Sequence, residues 1–288
     1  MVSTMDDKWT LTAEQMQQWD RDGFLIVKGL FEAPQLAELQ AYFDGVAEKG
    51  ETIEGYWTPS ARSKREDSSS ILLPGEAADS ILKRYPRFLQ PHRIHELSRQ
   101  MLLDARVFRV LDQLLGEPAV ACQSMFYFKP PGAKGQALHQ DNFYLEVEPQ
   151  TCIAAWTAVD AADAENGGLF VVPGTHRLDT QCPERAESPD SFTSHLVNTP
   201  KGFKAVPAEM ASGDVLFFNG QVIHGSGMNR SQTRWRRSFI CHYMPATSRC
   251  VSRYYFPVLD REGNEVTYEQ SAAGGPCGME WKPSSYRE

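Results

Sequence analysis

From residue 119 onward the chain is cut into short apolar or alternating runs, AVACQSMFYF, FYLEV, TCIAAWTAV, GLFVV, DVLFF and RSFICHYMP, separated by Gly, Pro and Asn. Runs of this length suit strands, and they are split by turn-forming residues at irregular spacing. Many short strands can bury their apolar sides only by packing as a sandwich or closing as a barrel of the jelly-roll kind.

Upstream the texture is helical. Thr12 followed by Glu14 and Gln15 reads as the start of a helix that ends at Asp22-Gly23, and Phe24 to Val27 follow as a short apolar strand. Residues 32–49 place Leu36, Leu39, Tyr42 and Phe43 at helical spacing, and residues 94–115 resume that period with Leu97, Met101, Leu102, Val107, Leu111 and Leu115. Residues 59–76 lose all periodicity and gather charge, serine and proline, as an exposed loop does. The expectation is a mainly β fold with a helical buttress, one domain across residues 1–288, with its helical part at about 11–115 and its jelly-roll core at about 119–250.

Charge narrows the partners. The 29 Lys and Arg against 37 Asp and Glu leave a net charge of −8, which argues against a nucleic-acid scaffold. No apolar run approaches the roughly 20 residues that cross a bilayer, and MVSTMDDKWT has neither a basic nor an apolar leader region. The expected setting is therefore cytoplasmic, without membrane or nucleic acid, and with a small molecule as partner; the oligomeric state is not legible. Cys122, Cys152, Cys182, Cys241, Cys250 and Cys277 contain no CxxC pair and read as reduced thiols, several inside apolar runs.

Among the 7 histidines, two stand in unusual company. His139 and Asp141 form a His-Gln-Asp tripeptide after the turn-rich PPGAKGQ, and in extended backbone positions i and i+2 project to one face. His224 follows the apolar DVLFFNGQVI and precedes GSGMN. Two neutral imidazoles and one carboxylate are the facial triad of non-haem Fe(II) oxygenases, which leaves positions open for co-substrate and oxygen. An isolated His-x-Asp is more often a surface turn. The basic cluster Arg234, Arg236 and Arg237 adds weight, because the far carboxylate of 2-oxoglutarate needs a fixed cation and the planar fork of Arg suits it. Alternation sets Arg236, Ser238, Ile240 and His242 on one face, opposite Arg237, Phe239, Cys241 and Tyr243; Arg234 and Arg237 read as a solvated edge.

The sequence resembles the phytanoyl-CoA hydroxylase family of Fe(II)- and 2-oxoglutarate-dependent dioxygenases. The resemblance rests on LTAEQ with DGFLIV, FYFKPPG with HQD, CIAAWTAVD, ENGGLFVVPGTH and GDVLFFNGQVIHGSGMNRS, which occur in order over most of the chain. It implies a double-stranded β-helix, or cupin-like jelly roll, with His139, Asp141 and His224 as iron ligands and Fe(II), 2-oxoglutarate and O2 as cofactor and co-substrates. The family's 2-oxoglutarate arginine falls on Arg236 when counted back from CHY, whereas counting forward from His224 reaches Trp235 and leaves Arg234 open. Ser226, Trp156 and Met125 match further co-substrate positions, and alternation turns Gln123 and Tyr127 to the side of Met125. Related halogenases lack the carboxylate, so Asp141 points to hydroxylation, with desaturation, epimerisation and ring closure as alternatives on the same triad. A zinc or manganese cupin and a non-catalytic barrel that only binds are the rival readings. Substrate-lining candidates are residues 56–75, including Arg62, Lys64 and Arg65, then Asn142, Phe143 and Tyr144, and residues 253–260.

Overall fold

The computed structural model describes residues 8–49, 87–149, 151–185, 188, 190–272 and 277. The loop expected at 59–76, with Arg62, Lys64 and Arg65, lies outside the described residues.

Helix α1 (Ala13–Asp22) starts where expected. Thr12 and Gln15 exchange hydrogen bonds as a capping box, and Gly23, in the left-handed region at φ 77°, closes its C-terminus. Strand β1 (Phe24–Val27) and helix α2 (Ala33–Lys49) follow. After β2 (Arg87–Leu89), the periodic stretch expected as one helix is two, α3 (Glu96–Leu102) and α4 (Ala105–Leu115). The break is chemical. Asp104 takes extended backbone and caps α4 by accepting from the Arg106 N–H, while the Tyr243 hydroxyl donates to the Leu102 carbonyl that α3 leaves open.

The β region comprises β3 (Ala119–Tyr127), β4 (Gln136–His139), β5 (Ile153–Ala158), β6 (Leu169–Val171), β7 (Glu184–Arg185), β8 (His195–Leu196), β9 (Val206–Ala208), β10 (Val215–Asn219), β11 (His224–Ser226), β12 (Ser238–Pro245), β13 (Cys250–Val251), β14 (Val258–Leu259) and β15 (Glu265–Val266). An eight-stranded sheet runs β1-β10-β5-β12-β3-β14-β15, with β2 also on β3, and a four-stranded sheet runs β4-β11-β6-β9. Between them they form the expected jelly roll. One expected strand differs: FYLEV forms the helical turn α5 (Asn142–Leu145); DVLFF is β10 as expected, and the chain breaks after Asn219 so that His224 opens β11 of the other sheet.

Strand alternation divides the large sheet into two apolar faces. Phe126, Phe217, Phe239 and Tyr243 pack under Leu39 and Phe43 of α2 and Phe108 and Leu111 of α4. Met125, Trp156, Phe218 and Ile240 face Leu169 and Val171 of the small sheet. The helices thus cover one side of the large sheet, and the small sheet packs on the other. Arg237 corrects the expectation of a solvated edge: its guanidinium is buried between Asp44 of α2 and Asp160 and lies 4.7 Å from the Trp235 ring, tying helix to sheet. Arg234 is the surface group expected, paired with Asp163 and Glu165.

The cysteines are not all reduced. Cys182 and Cys277 form a disulfide with a Cα–Cα distance of 5.4 Å, a pairing across 95 residues that spacing could not reveal. Cys122, Cys152, Cys241 and Cys250 are free and buried, and burial raises their thiol pKa values.

Candidate active site

His139 ends β4 and His224 opens β11, and the two are direct partners in the antiparallel register of the small sheet. Their ring centroids are 4.2 Å apart. Asp141 joins them differently from the extended geometry read in the sequence: its backbone is helical, φ −67° and ψ −33°, at the start of α5. That turn brings Asp141 Oδ1 to 3.4 Å from His139 Nε2 and 3.6 Å from His224 Nε2. All three side chains are buried, and together they form a group able to hold one metal ion.

Backbone carbonyls set the histidine tautomers. His139 Nδ1–H donates to the Ala137 carbonyl at 2.8 Å, and His224 Nδ1–H donates to the Val222 carbonyl at 3.0 Å. Each ring therefore turns an unprotonated Nε2 toward Asp141, as a metal-ligating imidazole must. Burial lowers the His224 pKa to about 4, outweighing the attraction of Asp141, so this ring stays neutral near pH 7. Burial would raise the Asp141 pKa, but the imidazoles packed around it, His224 and His242 foremost, and the hydrogen bond from His242 hold it well below the ordinary carboxylate range. Two imidazole nitrogens and one carboxylate oxygen, facing each other with no fourth metal-ligating side chain grouped with them among the described residues, suit iron with open positions.

His242 is a site residue that the sequence did not single out. Its Nε2 donates to Asp141 Oδ2 at 2.9 Å, fixing the carboxylate so that Oδ1 faces the histidines. It sits on the face predicted for Arg236, and only the cross-strand neighbours reveal its role.

On the same face of the large sheet Arg236, 2 % exposed, donates from its guanidinium to the Ser238 hydroxyl and the Gly167 carbonyl and lies 5.4 Å from the Trp156 ring. Burial lowers its pKa to about 10 despite Tyr127 and Asp160, leaving it charged. Lys129, also missed in the sequence, is buried beside it. Its amine donates to the Ser226 hydroxyl at 2.8 Å and to the carbonyls of Gly167 and Gly227, and burial beside Arg236 holds its pKa well below the ordinary lysine value. Among the described residues neither side chain pairs with a carboxylate. Met125, Tyr127 and Trp156 belong to the apolar cluster on this face, and Gln123 pairs with His242 across β3 and β12.

Of the lining candidates, Asn142 is turned away: its amide exchanges hydrogen bonds with the Val147 backbone and holds its own loop. Phe143 and Tyr144 pack with His195, and the Tyr144 ring lies 6.0 Å from that of His139. In 253–260, Tyr255 is buried and feels the charge of Asp141, while Val258 and Leu259 form β14.

This fold and this site define an iron- and 2-oxoglutarate-dependent dioxygenase. The model of the phytanoyl-CoA dioxygenase (PhyH) family matches residues 19–238, and the chain belongs to that family. It is 28 % identical over 242 residues to phytanoyl-CoA dioxygenase 1 of Oryza sativa subsp. japonica, covering 77 % of this chain and 85 % of that one. It is 28 % identical over 262 residues to the peroxisomal phytanoyl-CoA dioxygenase of Mus musculus, covering 86 % and 72 %. Among solved structures, the epimerase SnoN in complex with Fe3+, alpha ketoglutarate and nogalamycin RO superposes with a TM-score of 0.60 at 20 % identity, covering 82 % of this chain and 84 % of that one. EctD from S. alaskensis with 2-oxoglutarate and 5-hydroxyectoine gives 0.60 at 19 % identity, covering 83 % and 78 %. No helix among the described residues is long and apolar enough to cross a membrane.

Proposed function

We propose that the protein hydroxylates an unactivated C–H bond of a small or medium organic molecule, with His139, Asp141 and His224 holding the iron. The observation that carries this reading is the convergence of two unprotonated Nε2 atoms and Asp141 Oδ1 within 3.4 and 3.6 Å in a buried site. Bound there, iron and 2-oxoglutarate supply oxygen activation and C–H oxidation, with succinate and carbon dioxide as co-products.

The chain's own residues position the reactants. Arg236 offers its fork to the far carboxylate of 2-oxoglutarate, Ser226 adds a hydroxyl, and Lys129 holds that hydroxyl in place by a hydrogen bond. Trp156 and Met125 shape the pocket and exclude water, Gln123 flanks it, and Tyr127 closes its edge. Asp141 favours hydroxylation because its carboxylate occupies the ligand position that a halide would need.

The test is incubation of the iron-loaded protein with a small-molecule library, reading succinate and product mass. A product heavier by one oxygen atom, derived from isotopically labelled O2, is expected. A product lighter by two hydrogens, or an isomer of the substrate, would replace hydroxylation with desaturation or epimerisation.

A further inference from the structure

Arg87 lies at the start of β2, in register with Tyr127 of β3. Across β3, the same tyrosine pairs with Ser238, the residue that receives a hydrogen bond from Arg236. Tyr127 therefore stands between two guanidinium groups, that of buried Arg236 on the β12 side and that of Arg87 on the β2 side.

Arg87 Nη1 donates to Tyr127 Oη at 3.0 Å, its one hydrogen bond among the described residues. The guanidinium faces the rings of Tyr127 and Phe192 at 5.9 and 5.5 Å. Loss of water works against its charge, and the groups that favour that charge are the phenols of Tyr127, Tyr144 and Tyr255, without a carboxylate. Arg106 and Arg237, by contrast, are matched with Asp104 and with Asp44 and Asp160. A guanidinium carries several N–H donors in one plane, and the half-buried Arg87 fork, with one donor engaged by Tyr127, keeps the others to offer to an anion. The aromatic rings flank the fork, and the Tyr127 O–H, polarised by the Arg87 N–H it accepts, is free to donate to the same anion.

The surroundings lead toward the triad. The Tyr144 ring is 6.0 Å from that of His139, and Tyr255 feels the charge of Asp141. Resting on the dioxygenase reading above, we propose that Arg87 and Tyr127 bind an oxyanion group of the organic substrate, a carboxylate, phosphonate or phosphate, and so aim the rest of that molecule at His139, Asp141 and His224.

Matched probes test it: octanoate and octylphosphonate against octanol and octanamide, titrated anaerobically into protein saturated with Fe(II) and 2-oxoglutarate so that the Arg236 site is filled. The anions are expected to bind about tenfold or more tighter than the neutral probes. Arg87→Gln should abolish that preference, and Arg87→Lys, which keeps the charge without the fork, should retain part of it. Equal binding of neutral and anionic probes, or an unchanged preference in Arg87→Gln, would overturn the proposal. So would a variant in which the 2-oxoglutarate requirement rises and octanoate binding does not change, because Arg87 would then serve the co-substrate. Admitting O2 separates the two readings: an intact anion preference without succinate supports the Arg87 site and fails the dioxygenase assignment, whereas succinate formation without the preference does the reverse.

Discussion

His242 Nε2 donates to Asp141 Oδ2 at 2.9 Å, and the opposite oxygen of that carboxylate faces both His139 and His224. One hydrogen bond from the large sheet thus fixes the rotation of the only acidic member of the triad, which is carried by the small-sheet side. His242→Ala should lower Fe(II) affinity by about 10- to 100-fold, the usual effect of removing a group that orients a metal ligand. Anaerobic Fe(II) titration in the presence of 2-oxoglutarate measures it. His242→Gln, which can still donate, should recover part of the loss.

Arg236 is buried beside Trp156 with no carboxylate partner among the described residues, whereas Arg234 is paired with Asp163 and Glu165 at the surface. Arg236→Ala should raise the 2-oxoglutarate concentration for half-maximal turnover by roughly 30-fold or more, the effect of about 2 kcal/mol or above from a desolvated charge pair. Arg234→Ala should leave that concentration unchanged. A steady-state titration of succinate formation against 2-oxoglutarate decides between them.

Phe126 is fully buried and stacks on Phe43 of α2 with ring centroids 4.2 Å apart. Phe126→Ala should cost about 3–5 kcal/mol, because it removes apolar contacts and leaves a cavity between sheet and helix. Urea unfolding of the variant against the parent reads the difference.

His92 sits in the same buttress, 4 % exposed, with its Nδ1 2.7 Å from the Ser124 hydroxyl. Burial lowers its pKa to about 3 from the unfolded value of 6.5. Between those values the unfolded chain binds a proton that the folded chain does not, so stability rises with pH and falls on acidification. This group contributes up to about 1.4 kcal/mol per pH unit across that window. His92→Gln should flatten the dependence of unfolding free energy on pH between roughly 6 and 4.

Much of the framework is written locally. The Thr12–Gln15 box, the Gly23 stop and the short runs of β3, β5, β10 and β12 depend on neighbouring residues and on strand or helical period, so they can be read from the chain. The position of Arg236 on the face turned to the small sheet follows from the same alternation. What escaped depends on contacts between distant segments. Leu102 and Ala105 continue one apolar period, and the break between them is visible only in the capping by Asp104 and the Tyr243 hydroxyl bond. Lys129 and His242 acquire their roles through Ser226 and Asp141, each about a hundred residues away. The Cys182–Cys277 bond likewise joins segments with no local signal.

The central claim, that His139, Asp141 and His224 grip one Fe(II), is tested most directly by anaerobic Fe(II) binding to the parent protein and to His139→Ala, Asp141→Ala and His224→Ala. Each titration is followed by the Fe(II)–2-oxoglutarate charge-transfer absorption. The parent should bind one equivalent and develop the band, while each variant stays folded by circular dichroism and loses the band and succinate formation. A folded variant that keeps full iron stoichiometry, the band and turnover would contradict the assignment.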